Sequence, residues 1–306
     1  MKLIRNLSVR YKLLLLVAVP LLLTLYLEVS NQTNALRQIN GLESVQLLVE
    51  VSAENSLLAH ELQKERGMSA GYLGSQGRAF GDKLPAQRKL TDERWQAWQS
   101  LVSSRPQLTQ YPELASALND VKKQLSRLNT LRGQVDAMTA ALPDVLAFYT
   151  GTIDHLLVVP AMATAYTSDG EVARRLQAYY SFLQGKERAG IERAVLSNVF
   201  GSDRFTPALF ARFVRLVSEQ DAHLQSFRRF ADGAALRAYE EFLNSDAVAD
   251  VQAMRETALS RNENFGVDSS HWFARSTARI NGLKKLEEAL ESGLHDMVSE
   301  QLAATR

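Results

Sequence analysis

Arg66 stands where a charge is costly. Leu48, Val51, Asn55, Leu58, Leu62, Ser69 and Leu73 recur at helical three- and four-residue steps, and on that wheel Arg66 falls about 40° from Leu62, inside the apolar stripe. A guanidinium cannot shed its proton to escape burial, so something anionic must meet it or the fold is destabilised. That anion is a protein carboxylate or a ligand, unless the side chain reaches out to the rim. Glu65, next in sequence, offers one carboxylate. A second charged group lies between Glu171 and Phe200, where Leu176, Tyr180, Leu183, Ile191, Ala194 and Asn198 mark an inner helical face with Glu187 near its centre. Arg188 and Arg193 flank that face about 100° or more away, within bending reach. Acids and guanidiniums converging between helices suit either a closed ion-pair network or recognition of a small anion.

Other chemistry finds little support. The five histidines, His60, His155, His223, His271 and His295, stand singly, and the zincin-like start His60-Glu61 meets Lys64 where a second histidine is required. No nucleophile elbow or phosphate loop occurs, so neither an enzyme nor a metal or other cofactor is expected. The 35 basic and 34 acidic residues are mixed throughout for a net charge of +1, which argues against a nucleic-acid partner. With no cysteine there is no disulfide framework or thiolate metal site.

The elements that must position these residues read as helices throughout. Hydrophobic residues make up 46% of the 306, and 16 Gly with 7 Pro leave little material for turn-rich β structure. Leu13 to Leu27 is uncharged, follows Lys2, Arg5, Arg10 and Lys12, and meets no further Lys or Arg until Arg37. Positive charge on one side predicts a cytoplasmic N-terminus and an exported remainder. A cleaved signal peptide competes with a retained anchor, but EVSNQTN after Leu27 holds no small-x-small cleavage site. The expected division is a cytoplasmic segment 1–12, a transmembrane helix 13–29 and an exported domain 30–306, in the inner membrane with the domain periplasmic. From Glu28 one helix should run into the glycines at 67, 71, 74, 77 and 81. Further helices are expected over Leu84–Val102, from Pro112 to about Gly133, from Pro143 to Tyr166 with a kink at Pro160, over Glu171–Phe200, from Pro207 to Phe230, over Ala234–Leu259 and from Ser269 onward. The resulting fold class is all-α, an N-terminal transmembrane helix followed by two stacked antiparallel four-helix bundles. Asn40, Ser44 and Glu287 are expected in the seams of a homodimer built on the first and last helices.

These residues resemble the NIT family, the nitrate- and nitrite-sensing domains of bacterial chemoreceptors, sensor kinases and transcription antiterminators. Leu62 to Ser75, LQKERGMSAGYLGS, is similar to the family's first signature helix, Gln87 to Asp92 to the segment after it, and Leu183 to Phe200, LQGKERAGIERAVLSNVF, to its second. The resemblance implies a signal-transduction receptor that binds nitrate or nitrite and relays occupancy to an output module. By motif position it assigns the ligand to Arg66 and Arg193, with Arg188 a further candidate, and leaves Glu65 and Glu187 in support. A third arginine from the C-terminal half is implied, with Arg255, Arg261 and Arg279 in competition. Nitrate is planar and weakly hydrated, and guanidinium forks match both properties. Only LAATR follows Gln301, so output is expected from a module or partner outside this chain.

Overall fold

The computed structural model describes residues 8–305. Among them are eleven α-helices: α1 Val9–Gly74, α2 Leu84–Ser104, α3 Pro112–Leu125, α4 Leu128–Asp136, α5 Leu142–Leu157, α6 Val159–Ala163, α7 Gly170–Ser202, α8 Pro207–Phe230, α9 Gly233–Leu243, α10 Asp246–Ser260 and α11 Ser269–Thr305. The only strand-type pairing among the described residues is a bridge between Arg204 and Glu263. Lys2 and Arg5, counted above for orientation, lie outside the described residues.

The 66 residues of α1 are unbroken, even at Pro20, and at 1.5 Å per residue they span roughly 100 Å. Leu13 to Leu27 is exposed around the helix circumference, and near its N-terminus α1 holds an 18-residue stretch long and apolar enough to cross a membrane. The Leu142–Tyr166 segment passes the same test but is half-buried, as a core helix is. From Leu42 onward α1 enters the protein core, and it stops where Ser75 ends the helix and Gln76 and Gly77 take positive φ.

Side-chain contacts give the directions of packing. Asn55 reaches Leu156 and Tyr149 reaches Glu65, so α5 runs antiparallel to α1. Ser56 with Glu287 and Gln46 with Ser299 run α11 back along α1 toward its N-terminal end. Gln63 with Glu187 and Asn198 with Ala70 align α7 parallel to α1, while Ser181 with Ser226 and Arg188 with Glu219 set α8 antiparallel to α7.

The structure departs from the expected helices at four points. The third, fourth and seventh are each two, the fourth parting at Val158, two residues before the expected kink at Pro160. At Ser126 the side chain back-bonds to the Lys123 carbonyl and Arg127 N–H reaches only Gln124, tightening the turn between α3 and α4. At Asn244 the amide bonds the Glu240 carbonyl, the backbone N–H reaches only Glu241, and Ser245 restarts the chain in extended conformation before α10. The fifth, α7, is buried around almost its whole circumference from Ser181 to Phe200 instead of on one face, because α1, α8 and α11 all pack on it. A related correction concerns Glu287: it lies inside the chain between Lys186 and Lys284, not in a seam between copies.

Candidate anion-binding site

Arg66 and Glu187 meet at the parallel contact of α1 and α7, both fully buried. Arg66 Nη1 donates to Glu187 Oε1 at 2.5 Å and Nη2 to Oε2 at 3.1 Å, the two-pronged geometry of a strong charge-assisted pair. Gln63 Nε2 donates to Glu187 Oε2 at 2.7 Å, and Arg66 Nη1 also donates to Thr150 Oγ1 at 2.9 Å. Glycine makes the approach possible. A Cβ at Gly190 would sit 2.9 Å from Arg66 Nη2.

Arg193 follows on α7, about one and two-thirds turns past Glu187, and its guanidinium is equally buried. Nη1 donates to Thr277 Oγ1 at 2.8 Å, and the guanidinium carbon lies 4.8 Å from the centre of the Phe273 ring. Nε and Nη2 are buried with no hydrogen-bond partner, and so is Arg66 Nε. A Cβ at Gly67 would approach Arg193 Nε to 3.2 Å, so α1 must be bare there. Burial, with the Arg66 charge next, pushes the Arg193 guanidinium down to about 9 while Glu187 and Glu61 oppose the shift. It stays charged at neutral pH. Two guanidiniums and one carboxylate thus leave one positive charge in a buried setting with free N–H groups, which is the complement of a monovalent anion.

The other candidates go elsewhere. Glu65, one residue from Arg66 but about 100° around the helix, accepts from Arg132 Nε at 2.8 Å and Nη2 at 2.9 Å and from the Tyr149 hydroxyl at 2.8 Å. It belongs to a closed network with Asp92 and Arg88. Arg188 turns outward to Glu219 and Gln184. Arg255 and Arg279 both face Glu192, with Gln220 between them, and Arg261 bonds only the Asn264 carbonyl at the surface. Glu192 is buried and held below the usual carboxylate range against its own desolvation, chiefly by Arg255. No group of three metal-ligating side chains occurs among the described residues. Thr150, Thr277 and Phe273 escaped the sequence reading. Their types carry no chemistry of their own, and only the fold brings them to the arginines.

The sequence matches the NIT family, nitrate and nitrite sensing, over residues 57–295. That is well over half of the chain, and the chain belongs to this family. A nitrate regulatory protein of Klebsiella oxytoca is 28% identical over 243 residues, covering 78% of this chain and 60% of that protein. The chain therefore spans about three-fifths of the length of that curated relative. Among solved structures, the NasR transcription antiterminator superposes with a TM-score of 0.79 at 26% identity, covering 90% of this chain and 76% of that one. Both relatives are regulators rather than enzymes. That one of them acts in transcription is a point the expectation of no nucleic-acid partner did not foresee.

Proposed function

We propose that the chain is a membrane-anchored sensory domain in which Arg193 and Arg66 hold nitrate or nitrite. The carrying observation is the Arg193 guanidinium, fully buried with two N–H groups unmet. An arginine kept for structure alone would have its carboxylate, as Arg66, Arg132 and Arg255 do. The anion takes the free edge of Arg193 and competes with Glu187 for Arg66, so Glu187 is a tethered stand-in that ligand displaces. Displacement loosens α1 against α7, and α11 follows because its Thr277 and Phe273 both contact Arg193. Arg188 serves the entrance rather than the pocket, and Arg255 with Arg279 brace α7 from the far side.

In the same reading Leu13 to Leu27 remains in the inner membrane, residues 1–12 are cytoplasmic and residues 30–306 fold in the periplasm as two four-helix bundles sharing α1. Two copies associate, and output passes to a module or partner beyond this chain. The proposed role involves no catalytic step and no cofactor. The direct test is calorimetric titration of the full chain in detergent with nitrate. Wild type binds, and Arg193→Ala loses a charge-assisted contact of about 2 kcal/mol, close to thirtyfold in affinity. Unchanged affinity in Arg193→Ala ends the assignment. A wild type that ignores nitrate but binds a small carboxylate would move the ligand class and keep the architecture.

A further inference from the structure

A cleft of about 570 Å³ opens between α5, α7 and α8, separate from the buried Arg66–Arg193 cluster but touching it at one residue. Its wall includes Thr150, Asp154, Arg188, Arg212, Arg215 and Glu219. Thr150 is the shared residue, since its hydroxyl accepts from Arg66 Nη1. Arg188 and Glu219 neutralise one another at 3.2 Å. Arg212 is half-buried and makes no hydrogen bond or ion pair with any of the described residues.

We propose that this cleft is a second binding site for small monovalent oxyanions, with Arg212 as its donor, and that it forms the outer station on the way to Arg66. Three features support it. The cations Arg188, Arg212 and Arg215 outnumber the carboxylates Asp154 and Glu219, so one positive charge is uncompensated. That charge sits on a partly desolvated guanidinium, where an anion gains more than it would in open water. Finally, the charges around Arg212 are unfavourable without a ligand: burial, then Arg66 and then Arg215 all lower its proton affinity, against Glu219 alone. Asp154 is itself shifted up by burial and by Glu187, which weakens its claim as the missing partner. Thr150, which lines the cleft and accepts from Arg66, marks the way from Arg212 to Arg66. The path rests on the inner assignment above, whereas the outer site does not.

Phenylglyoxal modification of the full chain in detergent, followed by peptide mass mapping, reads Arg212 directly. Sodium nitrate is raised against sodium fluoride at constant ionic strength, with exposed Arg228 as the reference. Nitrate should slow modification of Arg212 several-fold without slowing Arg228, both in wild type and in Arg66→Lys. Persistence in Arg66→Lys shows that the protection arises in the cleft itself. Loss of protection in either protein overturns the proposal: in wild type because no anion binds at Arg212, in Arg66→Lys because the protection only reported the inner pocket. Failure of the inner reading would appear instead as nitrate affinity indifferent to Arg193, with Arg212 still protected.

Discussion

Arg66 and Arg193 are both buried arginines, yet they should respond oppositely to truncation. Arg66→Ala strands Glu187 without its counter-charge and should destabilise the ligand-free protein by about 3–5 kcal/mol. Arg193→Ala removes an incompletely met guanidinium beside another cation, so urea melts without nitrate should show stability unchanged or increased, while nitrate-induced stabilisation disappears. Equal losses in the two variants would make both structural. His60 supplies a pH test. It is buried, its Nδ1 has no partner, and burial with Lys186 and Lys64 holds it neutral far below its ordinary range. The unfolded chain takes up a proton near pH 6.5 that the folded chain refuses, so stability is full above that pH and falls below it by about 1.4 kcal/mol per unit. Urea midpoints across that range should flatten in His60→Gln, and an unchanged slope would exclude His60 as the source. How much of this chemistry could be read from residues alone is uneven. Arg66 and Glu187 announced themselves because each put a charge on an apolar face. Arg193 did not, since periodicity assigned α7 one inner face and the helix is enclosed on nearly all sides.

At the level of elements, the contact of α1 with α7 is set by what is missing from the side chains. Gly74 faces the backbone of Asn198, where an added Cβ would meet the carbonyl oxygen at 2.5 Å and Cα at 2.7 Å. Backbone cannot give way as a flexible side chain can. Gly74→Ala should therefore pry the helices apart and destabilise by about 1–3 kcal/mol, with nitrate affinity falling as Arg193 and Arg66 separate. A urea midpoint equal to wild type would show that the α1–α7 contact does not depend on a bare backbone at Gly74. Helix existence was legible because apolar residues recur at 3.6-residue spacing over long runs, and caps at Asp169, Thr206 and Asp232 fix three starts. The breaks inside the third and seventh expected helices were not. Neither contains Gly or Pro, and each depends on one Ser or Asn side chain competing for backbone carbonyls, which a periodicity argument cannot see.

For the whole molecule, the proposed membrane anchor turns on the exposed leucines of α1. Sequencing the membrane-bound protein should find the chain still carrying Leu13 to Leu27; a mature N-terminus between Glu28 and Leu36 would show a removed leader instead. The unbroken course of α1 then has a mechanical consequence. With no loop between Leu27 and Arg66 to absorb strain, that segment is a stiff shaft, and under the proposed anchoring whatever moves at its inner end should arrive at the bilayer as the same twist or thrust. Such a shaft has phase. Two residues inserted after Ser30 turn the lower part about 200° relative to the upper, whereas seven residues add two nearly whole turns and bring it back within about 20°. The chain has no cysteine of its own, so a single Val29→Cys can report on the bilayer end by its rate of maleimide labelling. Nitrate should change that rate in the parent and in the seven-residue insertion and lose its effect in the two-residue insertion. A response indifferent to insertion length would mean that the shaft is not what turns.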